Sequence, residues 1–277
     1  MKQKTINCIL CNSGKNLPVL KKEGHTLVRC SNCGLVFVNP RISDVENVYL
    51  QNKVHTRYYE RTEHCDELEF RRRLCLIKKY SIGHRILDVG CAVGTFLKLA
   101  RKAGWDCYGI DLNAHSIAVC KKAGLNVKRG FLNRKSYPKG FFDAIHMSDV
   151  IEHMENPLAS LKLCASFLKP NGVILITTPN FGSRWARKFQ IKPTDHLYYF
   201  TKRTLRMLVE RAGLKVLMCL PLNRYRDLKA LKYSISIKQC FLSRLFLGAM
   251  KLLPIRSCCI RLPLNDDIII FAQKPFN

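Results

Sequence analysis

The pattern of apolar and polar residues divides the chain into an irregular amino-terminal part and a strand–helix repeat that begins near Arg85. From there, short apolar runs alternate with segments whose apolar residues recur at helical spacing. The runs predict strands that start at positions 85, 106, 142, 173 and 215, a final strand over 267–273, and helices over 96–103 and 201–212. Such alternation is typical of parallel βαβ units. The predicted fold class is therefore α/β, with a doubly wound, mostly parallel sheet whose last strand is antiparallel.

Two Cys-x-x-Cys pairs stand near the start of the chain, with eighteen residues between them: Cys8, Cys11, Cys30 and Cys33. Two such pairs at this separation match a site in which four thiolates hold one zinc ion at about 2.3 Å. Four protein ligands leave no open coordination position, so the site would be structural. We predict a small zinc ribbon over residues 1–42.

The other cysteines and the apolar stretches bear on the cellular compartment. The chain has 14 cysteines, but its first residues do not have the pattern of a secretory signal. We therefore expect a reducing cytoplasm, where paired cysteines hold metal more often than each other. A spanning helix needs about 20 apolar residues, and the best candidate, 245–264, is interrupted by charges and a proline. We expect no spanning helix.

The charge balance is strongly basic, with a formal net charge of +27 at pH 7. Nucleic acid, an anionic membrane or a phosphorylated substrate would each account for such a charge. A basic surface without a specific partner is the alternative.

The turn after the first predicted strand carries candidate cofactor chemistry. It reads Asp-Val-Gly-Cys-Ala-Val-Gly over 88–94, and the next strand ends in Asp111. Glycine lets the backbone approach a ligand closely, and an acid at the end of the neighbouring strand can bind ribose hydroxyls. The same spacing serves dinucleotide-binding enzymes, so these residues alone leave an NAD-dependent dehydrogenase and a methyltransferase both open.

These residues resemble the class I S-adenosylmethionine-dependent methyltransferases. The segment 88–94 looks like their first motif, commonly D-x-G-C-G-x-G, from which Ala92 departs. The likeness continues through 149–157 and 168–176, and covers about residues 80–220. With the ribbon, the chain is similar to a bacterial group that includes sugar, surface-polysaccharide and ubiquinone-pathway methyltransferases.

The resemblance implies a Rossmann-like methyltransferase domain over 81–277 that binds S-adenosylmethionine. Glycines of the first motif would line the methionine end of the cofactor, the acid of the second strand would hold its ribose, and residues near 131 would meet adenine. The implied cofactor-binding residues are Asp88, Gly90, Cys91, Gly94, Asp111, Leu112, Phe131 and Asp149.

Three residues are candidates for catalysis: Glu152, His153 and His196. His196 lies in an element that resembles the H-x-Y-x-F-T element of ribbon-containing bacterial methyltransferases. A histidine can accept a hydroxyl proton near neutral pH, although a structural histidine bonded to backbone is the alternative. In similar ubiquinone-pathway enzymes an acid-x-x-acid-His pattern is associated with a divalent metal. Here Asp149, Glu152 and His153 favour cap and cofactor-facing roles over metal binding.

Two further segments have more than one interpretation. Residues 43–80 are predicted to form linker helices, in which Tyr49, Tyr58 and Tyr59 would either cap the acceptor or pack. Residues 222–264 form a basic amphipathic insertion. This pattern fits a peripheral contact with the anionic inner face of a membrane, or a helical lid over the active site.

The leading hypothesis is an enzyme that methylates a small-molecule or sugar-linked acceptor, most simply at a hydroxyl oxygen, in surface-glycan or related biosynthesis. An RNA methyltransferase is the alternative, and nucleic acid is the less favoured partner because the basic residues are dispersed. A noncatalytic zinc-ribbon scaffold is the second alternative. The acceptor's identity, the methylated atom and the oligomeric state stay open.

Overall fold

In the computed structural model of the protein, the described residues are 3–42, 54–227 and 259–276. Tyr49 and most of the predicted basic insertion, residues 228–258, lie outside them, as do the side chains of Tyr58 and Tyr59.

The amino-terminal unit is built from short antiparallel strands. β1 (Gln3–Lys4) pairs with β5 (Arg41–Ile42), while β2 (Asn16–Lys22), β3 (His25–Cys30) and β4 (Val36–Val38) form a meander. A residue with left-handed backbone follows each cysteine pair, Asn12 with φ 57° and Gly34 with φ 80°. Asparagine and glycine tolerate this conformation best, so the sequence supports both tight turns.

The central sheet has seven strands. Their bounds are β6 (Arg85–Val89), β7 (Asp106–Asp111), β8 (Asn126–Arg129), β9 (Phe142–Ser148), β10 (Leu168–Pro179), β12 (Lys215–Leu222) and β15 (Asp267–Gln273). They are ordered β12–β15–β10–β9–β6–β7–β8, and β15 runs antiparallel to both of its neighbours. The pairs among β8, β7, β6, β9 and β10 are parallel. The predicted fold class, a Rossmann-like, mostly parallel sheet with an antiparallel last strand, is confirmed.

Six helices are described: α1 (Val54–Tyr80), α2 (Thr95–Lys102), α3 (Ala114–Lys122), α4 (Pro157–Phe167), α5 (Arg184–Phe189) and α6 (Lys202–Arg211). The amino termini of the last four are capped by side chains that accept backbone N–H bonds, those of Asn113, Asn156, Ser183 and Thr201. Although α1 has 27 residues, no described helix is both long and apolar enough to cross a membrane.

The fifth strand of the central sheet in chain order, β10, begins earlier than the sequence pattern predicts. Leu168 already pairs with Phe142, and a bulge separates it from Val173. Asn171 has φ 61°, and a Cβ at Gly172 would lie 2.9 Å from the carbonyl oxygen of Lys169. The predicted turn therefore exists, but as a bulge inside the strand.

One strand of the ribbon sheet comes from the carboxyl-terminal half of the chain. β11 (Tyr198–Tyr199) pairs with β4, and the amide of Val38 donates to the carbonyl of Leu197 at 2.9 Å. Arg41 Nη1 also donates to the Tyr198 hydroxyl at 3.0 Å. The ribbon is thus joined directly to the segment that carries His196.

Helix α1 packs one face on the central sheet. Cys65, Glu69, Arg73 and Ile77 recur every fourth residue, and none exceeds 3% exposure. Residues four apart lie on one side of a helix. Two charged side chains are therefore buried together with apolar ones, and both are hydrogen-bonded. Glu69 Oε1 accepts a hydrogen bond from the Tyr225 amide (3.0 Å), and Arg73 Nη1 donates one to Ser148 Oγ (2.8 Å).

Candidate functional site

The four ribbon cysteines converge in space. Their sulfur atoms all lie within 4.8 Å of one another, with 3.4 Å between Cys8 and Cys33 and 3.4 Å between Cys11 and Cys30. Four sulfurs held 2.3 Å from one ion in a tetrahedron would lie about 3.8 Å apart. The cluster therefore fits a structural zinc ion with all four ligand positions filled by protein.

The glycines of the turn after β6 are needed for packing. Gly90 and Gly94 have φ 74° and 78°, in the left-handed region. A Cβ at Gly90 would lie 2.3 Å from Val150 Cγ2, and one at Gly94 would lie 2.6 Å from Leu125 Cδ1. Both glycines therefore let the turn fit closely against other segments, and their predicted contact with the cofactor stays a prediction.

Ala92 also adopts left-handed backbone, with φ 43°. This is the position at which the sequence departs from the family pattern by lacking a glycine. The turn thus keeps its glycine-like shape with an alanine, at a conformational cost. Its neighbour Cys91 is buried beneath the turn.

Asp111 ends β7 and holds the turn from the neighbouring strand. One carboxylate oxygen accepts the Ala92 amide at 2.9 Å, and the other accepts the Asn113 amide at 2.8 Å. Burial raises the pKa of Asp111, while these amides oppose the rise. Leu112 follows directly, and Phe131, which is 43% exposed, comes just after β8 at the same edge of the sheet. The edge can therefore receive a nucleoside.

Asp88 is placed differently from the other predicted cofactor residues. It is 3% exposed, and its Oδ1 lies 2.7 Å from Nδ1 of the buried His146 on β9. The His146 ring stacks on Phe96 with 3.9 Å between centroids. The described contacts of Asp88 therefore indicate a structural role in support of the glycine turn.

A buried group of charges lies at the carboxyl end of β9. Asp149 has φ 54° and is ion-paired with Arg224, which also pairs with Asp267. Burial would raise the pKa of Asp149, but the Arg224 guanidinium outweighs it and holds that pKa below its usual value. Asp149, predicted to touch the cofactor, is thus an ionised carboxylate already engaged by an arginine.

Arg73 is the second cation of this group. Its guanidinium is almost completely buried, and its Nε has no hydrogen-bond partner among the described residues. Burial lowers the pKa of Arg73, and the nearby Arg224 lowers it further. A buried cation with an unused donor fits an anionic ligand group such as a carboxylate.

The three predicted catalytic side chains come together. Glu152, His153 and His196 offer ligand atoms within 4.8 Å of one another, and the two imidazole centroids are 4.8 Å apart. The amides of Leu197 and Tyr198 donate to the Glu152 carbonyl at 2.9 and 3.2 Å, which fixes the two segments against each other. Because Val150 touches Gly90, this cluster lies beside the glycine turn.

Burial sets the protonation of these groups. It raises the pKa of Glu152 to about 8, helped by the negative charge of Asp149, while Thr178 Oγ1 donates to Oε2 at 2.9 Å. Burial and the neighbouring His153 keep the pKa of His196 well below its usual value. Nδ1 of His196 and Oε1 of Glu152 have no hydrogen-bond partner within the described ranges. At neutral pH the site holds a protonated acid and a neutral imidazole.

Sequence reasoning missed Arg73, Ser148 and Arg224. Arg73 belongs to a run of three arginines, and only its spacing of four from Glu69 and Ile77 separates it from its exposed neighbours. Arg224 lies 75 residues from Asp149 in sequence, so no local pattern links the two.

Comparison with known proteins gives the family. A family profile described as a methyltransferase domain matches residues 59–218, more than half of the chain. The ubiquinone biosynthesis O-methyltransferase of Xanthomonas campestris is 28% identical over 137 residues, 43% of this chain and 57% of that protein. That of Actinobacillus pleuropneumoniae is 31% identical over 109 residues, 35% of this chain and 47% of that protein. The chain spans about half the length of these curated relatives.

Solved structures share the fold. A S-adenosylmethionine-dependent methyltransferase from Archaeoglobus fulgidus has a TM-score of 0.58 at 24% identity, over 80% of this chain and 100% of that one. One from Thermotoga maritima has a TM-score of 0.54 at 17% identity, over 83% and 99%. With the family match and the glycine turn described above, the chain belongs to the class I S-adenosylmethionine-dependent methyltransferases.

Proposed function

We propose that this chain transfers the methyl group of S-adenosylmethionine to a hydroxyl oxygen of a small-molecule or sugar-linked acceptor. The observation that carries the proposal is a buried, neutral His196 clustered with Glu152 and His153 beside the glycine turn. The curated relatives are named O-methyltransferases, which supports oxygen as the methylated atom. Surface-glycan or related biosynthesis is the setting proposed from the likeness to ribbon-containing methyltransferases.

In this proposal the cofactor lies in a crevice at the carboxyl ends of β6 and β7, and the residues there fit it. Each oxygen of Asp111 keeps a lone pair beside its backbone amide bond, and these can accept ribose hydroxyls. The unused Nε–H of Arg73 can donate to the carboxylate of the cofactor's methionine part. When bound, S-adenosylmethionine supplies an activated methyl group on a sulfonium. The residues of the chain then need only align the acceptor and exclude water.

In this proposal His196 acts as the general base. Its Nδ1, which has no partner within the described ranges, would accept the proton of the acceptor hydroxyl as that oxygen is methylated. The His196 backbone amide donates to the Lys192 carbonyl at 2.7 Å, which positions the ring. His153 donates from Nδ1 to the Asp195 carbonyl at 2.8 Å, so its Nε2 faces the cluster as an acceptor when neutral.

A divalent cation is a second candidate for the same cluster, since Glu152, His153 and His196 converge closely enough to ligate one. Asp149 belongs to the metal pattern considered from the sequence, but its carboxylate is paired with Arg224. We therefore keep the base as the proposal. Elemental analysis separates the two: one zinc per chain supports the base, whereas a second ion whose removal abolishes turnover supports the metal.

We also propose a cytoplasmic protein whose insertion, 222–264, contacts the anionic inner face of the membrane. The net charge of +27 supports this contact by electrostatic attraction. A lipid-linked glycan would be the acceptor best suited to it.

Incubation with methyl-labelled cofactor and three acceptor pools tests the proposal: nucleotide-sugars, lipid-linked glycans and RNA. We expect label in a sugar-containing pool, loss of label with His196→Gln, and retention with His115→Gln, an exposed histidine on α3. Label confined to RNA would support the RNA methyltransferase instead. Absence of label from every pool, with cofactor binding intact, would support the scaffold.

A further inference from the structure

Two short strands pair beside the charged group at the carboxyl end of β9. β13 (Tyr225–Asp227) pairs with β14 (Cys259–Arg261), and we define the strap as residues 223–227 together with 259–261. Arg261 Nε donates to the Asn223 carbonyl at 2.9 Å, which closes the base of the strap. Residues 228–258 connect the two strands in sequence.

The strap is bonded to helix α1 and ion-paired with the charged group at the carboxyl end of β9. Cys259 is disulfide-bonded to Cys65, and the Tyr225 amide donates to Glu69 Oε1 at 3.0 Å. Arg224 pairs with Asp149 and Asp267. The covalent bond and the ionic contacts thus hold the same short element against the edge that also carries Glu152.

The two cysteines of the disulfide differ in exposure. Cys65 is 3% exposed, whereas Cys259 is half-buried, and their Cα atoms are 5.8 Å apart. Exchange begins with in-line attack of a thiolate on one sulfur, so access decides which sulfur is attacked. In this geometry the attack falls on Cys259, and Cys65 is the leaving group.

We infer that Cys65 and Cys259 form a thiol–disulfide exchange site that sets whether the strap is held over the crevice. A low-molecular-weight thiolate attacks Cys259 Sγ, the sulfur–sulfur bond breaks, and Cys65 leaves as a thiolate that takes a proton. A second thiol then resolves the mixed disulfide, leaving two protein thiols and one oxidised small disulfide. The reverse exchange with a small disulfide closes the strap again.

In the closed form Arg224 stays ion-paired with Asp149, and the strap covers the edge of the sheet that the acceptor must reach. In the reduced form only non-covalent contacts hold the strap, namely its hydrogen bonds to Glu69 and Asn265 and the ion pairs of Arg224 and Arg226. Such contacts open more readily than a covalent bond. The exchange site would thereby link turnover to the thiol balance of the compartment. This effect on turnover rests on the proposed methyl transfer, whereas the movement of the strap does not.

The first experiment follows hydrogen exchange of the full-length chain, oxidised with glutathione disulfide or reduced with glutathione. Peptides covering 223–227 and 259–261 should exchange about tenfold faster or more when the bond is reduced. Cys65→Ser should match the reduced state in both buffers. Cys75→Ser, an exposed thiol on the same helix, should respond like the unmodified chain.

Two results would overturn the inference. One is recovery of residues 65 and 259 as separate alkylated thiols from the oxidised chain. The other is equal exchange of the strap in both states of a chain shown to contain the bond.

A second measurement separates this inference from the proposed function. Dissociation of S-adenosylhomocysteine should be at least about fivefold slower from the oxidised chain than from Cys65→Ser, because the closed strap must open first. Equal dissociation rates with and without the disulfide would show that the strap does not control access to the crevice. Failure of both forms to bind the nucleoside would contradict the proposed function. The hydrogen-exchange data would still show whether the disulfide controls the movement of the strap.

Discussion

Arg73 is a buried cation whose Nε has no hydrogen-bond partner within the described ranges. Arg73→Gln should weaken S-adenosylhomocysteine about 10- to 100-fold, because a hydrogen bond to a charged group contributes about 1.5–3 kcal/mol. Methylthioadenosine, which lacks the amino-acid part, should bind equally to both chains. Arg72→Gln, exposed on the same helix, is the matched control, and calorimetric titration is the measurement. Equal losses for both nucleosides would indicate that Arg73 is structural.

Glu152 makes stability depend on pH. Its pKa is raised from 4.5 to about 8 in the folded chain, so between these values the folded state holds a proton that the unfolded state has released. The free energy of unfolding should therefore fall as pH rises through this window, by up to about 1.4 kcal/mol per unit from this group. Urea unfolding at several pH values should show a flatter dependence for Glu152→Gln. An unchanged slope, equal to that of the exposed control Glu210→Gln, would contradict the raised pKa.

Ala92 adopts a left-handed backbone conformation that glycine adopts at a lower energy. Ala92→Gly should relieve about 1 kcal/mol of backbone strain, partly offset by the greater freedom of glycine in the unfolded chain. We expect unchanged or slightly higher stability in chemical unfolding. Ala118→Gly, exposed in the middle of α3, should instead lose about 0.5–1 kcal/mol. A loss at position 92 as large as that at 118 would show that the left-handed backbone carries no strain.

At the level of secondary structure, β11 pairs with β4 of the ribbon and begins two residues after His196, so it links the ribbon to the cluster of Glu152, His153 and His196. Removing zinc with a chelator should loosen 196–200 in hydrogen exchange and lower turnover more than it lowers cofactor affinity. The reason is that β11 orders the acceptor side, whereas Asp111 lies across the sheet. Cys11→Ser should reproduce the effect without a chelator. Unchanged protection of 196–200 after loss of zinc would separate the ribbon from the site.

Local patterns predict most elements because their causes are local. The apolar run from Arg85 and the double cysteine pairs each fix an element through neighbours in sequence. β11 is too short for any periodicity, and its strand conformation comes from pairing with β4, about 160 residues earlier. The early start of β10 at Leu168 likewise depends on a partner strand, which a single segment does not reveal.

At the scale of the whole molecule, the sequence predicts the sheet and several residues of the crevice but not how its charges are neutralised. Asp149 was recognised from its motif, while Arg224 reaches it only because the strap folds back across the sheet edge. The Cys65–Cys259 bond joins residues 194 positions apart, and the expectation of a reducing compartment gave no reason to seek it. Long-range partners of this kind follow from the fold, after the strand order is known.

Methyl transfer requires that a sulfonium nucleoside bind in the crevice between the glycine turn and Asp111. Calorimetric titration of the full chain with S-adenosylhomocysteine tests this most directly, with Asp111→Asn as the variant and Asp106→Asn, exposed at the other end of β7, as its control. We predict one nucleoside per chain, and an affinity at least about tenfold weaker for Asp111→Asn only. No heat of binding to the unmodified chain, or an equal affinity for both variants, would contradict it.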